Sequence, residues 1–188
     1  MPLSGDNWVF FGLIASGKSF LATAWAQHHG FSLYNSDRVR KELAGIEPTS
    51  RNPSSLNQGI YSSEFSRRTY DELLIRAEAA ILQGLPVVLD GSYQSRGERD
   101  RVCDLARRLK VQARFILCTC SDDEVKKRLR IRAQDPTAVS DGRWEVLERQ
   151  KERFEPPDEL APSQLLVLNT ERPLVDLLRE LDQRFLGL

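Results

Sequence analysis

Cysteine is scarce, charge of one sign does not accumulate, and no apolar run approaches the roughly 20 residues that a membrane-spanning helix requires. Each shortage excludes something. Three cysteines, an odd number, do not make the disulfide framework of a small secreted domain. Cys118 and Cys120 lie in one apolar run, where period-2 alternation turns both to the same face as reduced core thiols, and no second Cys or His cluster completes a metal-ligand set with them. Lys plus Arg (27) equals Asp plus Glu (27), with a pI near 6.8, so the basic footprint of a protein that grips long nucleic acid is missing. The start MPLSGDNWVF has neither a basic segment nor a small-residue cleavage site, which leads us to expect a cytoplasmic protein. Repeats and low-complexity segments are also missing.

What is present fits one globular domain over residues 1–188. The chain is 40% hydrophobic and 29% charged, with a mean hydropathy of -0.42, and its length suffices to bury a core without disulfides or a structural metal. Arg greatly outnumbers Lys, and Arg is the side chain that grips phosphate bidentately. Five short apolar runs read as buried strands: 7–12, 31–37, 86–91, 113–120 and 164–170. Segments with helical spacing alternate with them at 18–28, 63–83, 96–110, 122–134, 142–154 and 173–185. That alternation predicts an α/β fold, a parallel sheet with helices on both faces.

The segment Gly12–Ser19 reads GLIASGKS, the G-x-x-x-x-G-K-[ST] pattern, at the place where a strand ends and a helix begins. Glycines let the backbone curl so that successive N–H groups face a phosphate, and the positive end of the following helix favours the anion. In such a loop Lys18 reaches the β- and γ-oxygens and Ser19 ligates Mg²⁺. The run VVLD ends at Asp90, which suits either a carboxylate in the Mg²⁺ shell and substrate site or a turn-forming Asp-Gly.

After the second strand, NSDRVR (Asn35–Arg40) offers a carboxylate and two guanidinium groups. Asp37 can orient an acceptor hydroxyl and take its proton while Arg40 or Arg38 neutralises the transferred group; alternatively Ser36 or Asp37 caps a helix and the arginines are solvated. In DDEVKKRLRIRAQ, Arg128 and Arg132 are four apart and share a helix face, either a lid closing over a triphosphate or a solvated amphipathic surface. The stretch 45–61 is too long and polar for a routine connector, and reads as a binding loop or as disorder. With Arg67, Arg68 and Tyr70 it either holds an acidic or phosphorylated acceptor or flanks a helix start. No N-K-x-D segment reads guanine, and Gly91, not Glu, follows Asp90; both facts favour transfer over hydrolysis, with a P-loop ATPase or regulatory nucleotide-binding protein as the alternative.

GLIASGKS, SDRVRKELAG, GIYSSEFSRRTY, VVLDGSY and the arginine helix together resemble, in order and over nearly the whole chain, the AAA-type P-loop kinase-like family. Its relatives include 5′-hydroxyl polynucleotide kinases, gluconate kinase, chloramphenicol phosphotransferase and zeta toxins. The resemblance implies a three-layer fold with a five-stranded sheet ordered 2-3-1-4-5, an acceptor loop at about 45–70 and a lid at about 121–140. It implies ATP or GTP with Mg²⁺, held by Gly12, Ala15, Ser16, Gly17, Lys18, Ser19 and Phe20, with Arg128 on the lid and Thr170 and Arg172 near the nucleobase. Ser19 and Asp90 would serve the metal. Catalysis would fall to Asp37, Lys18, Arg40, Arg128 and Arg132, and the acceptor to Asp37, Arg38, Arg68, Tyr70 and Asp90. The implied partners are a nucleoside triphosphate and a hydroxyl-bearing acceptor, nucleic acid entering only as an oligonucleotide end.

Overall fold

A computed structural model describes residues 6–47, 59–134 and 144–188, without the side chains of 132–134 and 144–145. The first strand, β1 (Asn7–Phe11), is buried along its whole length. Period-2 alternation divides it between two cores. Trp8 and Phe10 pack on one face with Leu21, Trp25 and Leu181, and Val9 and Phe11 pack on the other with Leu73, Val102 and Phe115. Each fully buried side chain of this size contributes about 1.5–3 kcal/mol, so β1 is the stiff centre from which the phosphate loop springs.

The remaining elements follow in alternation: α1 (Lys18–His29), β2 (Ser32–Asn35), α2 (Ser36–Leu43), α3 (Ser63–Leu82), β3 (Val87–Asp90), α4 (Arg96–Leu109), β4 (Ala113–Thr119), α5 (Asp122–Gln134), α6 (Trp144–Arg153), β5 (Leu165–Asn169) and α7 (Leu174–Phe185). All strand pairs are parallel, in the order β2-β3-β1-β4-β5. Phe10 is level with Asp90, and Asp90 with Asn35. Parallel register therefore delivers the chain after β1, the end of β3 and the end of β2 to the same edge, where open α/β sheets place their ligands.

Local chemistry sets the boundaries. Gly30 closes α1 in the left-handed region (φ 69°), donating its N–H to Ala26 O. Ser95 and Glu98 form a reciprocal capping box on α4, and the Ser62 hydroxyl caps α3. One expected boundary moves: the second strand does not run to Asp37 but ends at Asn35, and a helix, α2, begins at Ser36. The cap is neither Ser36 nor Asp37 but Asn35, whose Oδ1 accepts the Arg38 N–H at 2.9 Å. Among the described residues, no helix is long and apolar enough to cross a membrane.

Candidate active site

Three residues of the loop between β1 and α1 carry positive φ: Gly12 at 133°, Ala15 at 58° and Gly17 at 86°. Alternating the sign of φ in this way turns consecutive amides inward, the geometry of an anion-binding nest. Two of the three must be glycine. A Cβ on Gly12 would lie 2.5 Å from Cys118 O, and one on Gly17 would lie 2.7 Å from Thr170 Oγ1 and 2.8 Å from Arg128 Nη1. Lys18 folds back over the loop, Nζ donating to Leu13 O at 3.3 Å, and Ser19 follows it in the first turn of α1.

Distant side chains hold the loop in shape. The Thr170 hydroxyl, just after β5, donates to Ser16 O at 2.6 Å and accepts from Arg128 Nη1 at 2.9 Å. Arg128 also donates to Ala15 O at 3.2 Å and Thr170 O at 3.0 Å, and its Nε reaches Glu124 at 2.9 Å. Arg128 thus spans α5, the phosphate loop and the end of β5. From α6, Gln150 Oε1 accepts the Ile14 N–H at 2.7 Å. Beneath these polar ties Ile14 and Ala15 pack on Val125, Leu129 and Leu147, so α5 and α6 are docked on the loop by an apolar seam as well.

Asp90 is fully buried at the end of β3. Its Oδ2 accepts from Asn35 Nδ2 at 2.5 Å, while Oδ1 is buried without a hydrogen-bond partner among the described residues. Burial pushes the carboxyl above its ordinary range; the Lys18 ammonium, the Ser19 hydroxyl and Asn35 pull it down, and the Asp37 carboxylate pushes it up again. Lys18, Ser19, Asn35, Asp37 and Asp90 therefore form one electrostatic cluster. An unpaired carboxylate oxygen and a serine hydroxyl are hard oxygen donors of the kind that Mg²⁺ takes.

Asn35 was not singled out from the sequence. It caps α2, which fixes Asp37 in the first turn, and the same amide grips Asp90. The signal was an Asn at a strand end followed by Ser-Asp, all three of them good caps. Gln150 and Arg99 were also missed. Arg99 is fully buried and paired with Glu159 at 2.5 Å, and donates to the carbonyls of Tyr93, Gln94 and Pro156, which anchors the turn after Asp90. Neither Gln150 nor Arg99 has a local sequence signal, since Ile14 lies 136 residues from Gln150, and Glu159 and Pro156 lie 60 and 57 from Arg99.

The acceptor-side residues separate. Arg40 is buried in α2, with Nη1 donating to Ile60 O at 2.7 Å and Ser66 Oγ at 3.1 Å and its guanidinium 5.0 Å from the Tyr61 ring. These contacts tie α2 to the start of α3 and none is to the phosphate loop. Tyr70 is likewise buried: its hydroxyl bonds Ser92 Oγ at 2.8 Å and accepts from Tyr93 N–H, and burial drives its pKa far up. Ser92 O in turn accepts the Gly12 N–H at 3.3 Å. Tyr70 supports the start of the phosphate loop through that turn. Arg38 and Arg67 are exposed, and Arg68 is exposed beside Phe65 at 5.2 Å. Residues 48–58 of the acceptor loop, 135–140 of the lid and the Arg132 side chain lie outside the described residues.

Beside Gly17 lies a cleft of about 310 Å³ lined by Phe20, Leu21, Arg128, Ile131, Thr170, Arg172, Leu174 and Leu177, besides Gly17 itself. Phe20 is 66% exposed there, and Arg172 is steadied by Glu180 at 2.5 Å. Apolar walls with two guanidinium groups, those of Arg128 and Arg172, are suited to a planar heterocycle. Both Phe20 and Arg172 thus border the cleft next to the loop, together with Thr170 and Arg128.

Comparison with known proteins agrees with this architecture. An uncharacterized protein of Mycobacterium tuberculosis is 30% identical over 122 residues, 63% of this chain and 24% of that protein. The chain thus spans about a quarter of the length of the curated relatives it matches. Among solved structures, a provisionally assigned kinase from Chloroflexus aurantiacus superposes with a TM-score of 0.71 at 17% identity, covering 96% of this chain and 98% of that one. A gluconokinase from Sinorhizobium meliloti gives 0.64 at 20% identity (100% and 93% covered), and shikimate kinase from Aquifex aeolicus 0.56 at 10% (96% of each). At those identities the likeness is one of fold. A family profile described as an AAA domain matches residues 8–157, and with the phosphate loop at the head of that match and a sheet ordered 2-3-1-4-5, the chain belongs to the AAA-type P-loop kinase-like family.

Proposed function

We propose that the chain is a Mg²⁺-dependent kinase that moves the γ-phosphoryl group of ATP or GTP onto a hydroxyl of a small molecule, a nucleotide or an oligonucleotide 5′-end. The observation that carries this reading is the buried, half-unpaired Asp90 at the sheet edge, bonded to Asn35 and acted on electrostatically by Lys18, Ser19 and Asp37, beside the Gly12–Ser19 nest. The nest amides and Lys18 bind the β- and γ-phosphates. Ser19 and Asp90 would hold Mg²⁺, which neutralises charge on the bridging oxygens when bound. Asp37, fixed by the Asn35 cap, orients the acceptor hydroxyl and takes its proton as the new O–P bond forms and the bond to the β-phosphate oxygen breaks. The cleft lined by Phe20, Arg128, Thr170 and Arg172 takes the base, and Arg128 couples it to the loop through Ala15. We assign Arg132 to the lid with Arg128, and Arg38 and Arg68 to the acceptor side. Arg40 and Tyr70, from their contacts, act as positioning residues that hold α2 and the turn after β3 against α3.

The test is phosphoryl transfer itself. Purified protein with Mg²⁺ and either ATP or GTP, incubated with metabolite and oligonucleotide pools, is expected to give products heavier by about 80 Da, the mass of one transferred phosphoryl group. Asp37→Asn is expected to slow transfer by about 10²–10⁴-fold, the range for loss of a positioned base. Nucleotide hydrolysis with no phosphorylated acceptor in any pool would overturn the kinase reading in favour of a P-loop ATPase. Undiminished transfer by Asp37→Asn would overturn the role of that carboxylate.

A further inference from the structure

At the opposite end of α1 from the phosphate loop, three side chains converge that the nucleotide site does not use. His28 and His29 form the last turn of α1, and Asp182 reaches them from α7; one ligand atom from each lies within 4.8 Å of the other two. The chain has only these two histidines. Among the described residues this is the one such grouping of His, Cys and carboxylate side chains.

The group is held in place. Asp182 Oδ1 accepts from Trp25 Nε1 at 2.8 Å and lies 2.8 Å from His29 Nε2. The His29 ring stacks on Phe31 (5.2 Å between centroids, 20°) and meets Trp25 edge-on at 5.5 Å. The imidazole and carboxylate are thus fixed by their surroundings, as supporting hydrogen bonds and packing fix metal ligands elsewhere. His28 is exposed and its ring sits 4.8 Å from that of His29. The helix end adds a field: α1 presents its negative pole here, which favours a cation.

We propose that His28, His29 and Asp182 form a binding site for a borderline divalent transition metal of the Zn²⁺, Ni²⁺ or Cu²⁺ class, at the junction of α1 and α7. Two imidazoles and one carboxylate are the donor set those ions prefer over Mg²⁺, which takes oxygens. Bonds of about 2.0–2.2 Å in tetrahedral array put ligand atoms about 3.4 Å apart. The present spacing reaches that by turning the exposed His28 ring and opening the His29–Asp182 contact. His29 then offers the Nε2 lone pair, its proton moving to Nδ1 by exchange with solvent, and water completes the shell. The ion ties together the far ends of two helices whose near ends, through Phe20, Leu21, Leu174 and Leu177, wall the cleft beside the phosphate loop. Zn²⁺ therefore stabilises the α1–α7 pair without entering the reaction.

The experiment is calorimetric titration of the nucleotide-free full chain with ZnCl₂, NiCl₂ and MgCl₂, in parallel with His28→Ala and Asp182→Asn. We expect one site for Zn²⁺ and for Ni²⁺ in the unmodified protein, and none for Mg²⁺ that either variant removes. His28→Ala is expected to weaken Zn²⁺ binding by tenfold or more, since even an outer supporting group is worth about 10–100-fold. Because the His28 side chain is exposed, its variant folds, and equal metal-free melting temperatures check this. The three cysteines are unchanged in both variants, so thiol binding is discriminated. No Zn²⁺ binding by the unmodified chain, or equal binding by His28→Ala, overturns the proposal. Neither readout depends on whether the chain is a kinase.

Discussion

Replacing Gly17 by alanine separates backbone cost from the cost of disturbing the site, because a second glycine supplies the control. Gly17 has φ 86° and Gly30 has φ 69°, so an added Cβ costs each about 1–2 kcal/mol of backbone strain. Around Gly30 no described residue beyond its chain neighbours lies within 4 Å of the new atom, and the cost stops there. At Gly17 the Cβ would come within 2.7 Å of Thr170 Oγ1 and 2.8 Å of Arg128 Nη1, so both must retreat. Their retreat breaks the Thr170–Ser16 bond and the Arg128–Thr170 bond, each worth about 1 kcal/mol net. Gly17→Ala is thus expected to lose about 3–4 kcal/mol, a fall of roughly 6–16 °C in Tm for a chain of this size, and Gly30→Ala about a third to a half as much. Thermal melts of the two variants measure the difference, and calorimetry with ATP should show nucleotide binding lost only in Gly17→Ala. Equal Tm shifts, or full nucleotide affinity in Gly17→Ala, would refute the reasoning that this glycine is reserved for the Thr170–Arg128 contact.

Lys18→Ala should remove most nucleotide affinity by calorimetry while shifting Tm by less than about 2 °C, since among the described residues its side chain makes only the long hydrogen bond to Leu13 O. Asp90→Asn should abolish transfer yet raise Tm at neutral pH. Burial raises the folded carboxyl above its ordinary 3.8, so the ionised form costs folding energy above the folded pKa. That cost fades as pH falls through the folded value and vanishes once both states are protonated, and melts over a pH series with the two proteins should converge at the acid end. Arg99→Ala should lower stability to urea by about 3–5 kcal/mol, because Glu159 and three backbone carbonyls lose a buried donor; a loss under 1 kcal/mol would show the pair to be dispensable.

The phosphate loop was legible from residues alone because its requirements are local. Gly12 and Gly17 adopt φ values that other residues rarely take, and the flanking apolar strand and helix are contiguous in the chain, so pattern and context coincide. The alternation of strands and helices was legible for the same reason: each apolar run is continuous where a strand is buried on both faces, as β1 is. Sheet order came from resemblance to a family and not from periodicity, since no local pattern tells β1 which neighbours it takes.

The tertiary structure alone decided which polar groups meet. Asn, Ser and Asp in succession at 35–37 are all competent caps, and local rules do not rank them; the bond from Asn35 to Asp90, 55 residues away, selects Asn35 and so starts α2 at Ser36. Gln150 on Ile14, 136 residues apart, and Thr170 on Ser16, 154 apart, exist only because parallel strands bring all their carboxyl ends to one edge. Arg40 follows the second strand closely enough to be read as a group for the transferred phosphate, and only the packing of α2 on α3 gives it the bonds to Ile60 and Ser66, 20 and 26 residues away. A sequence specifies what each residue can bond; where a bond joins residues far apart in the chain, only the packed sheet, which fixes the distance between them, determines which bonds form.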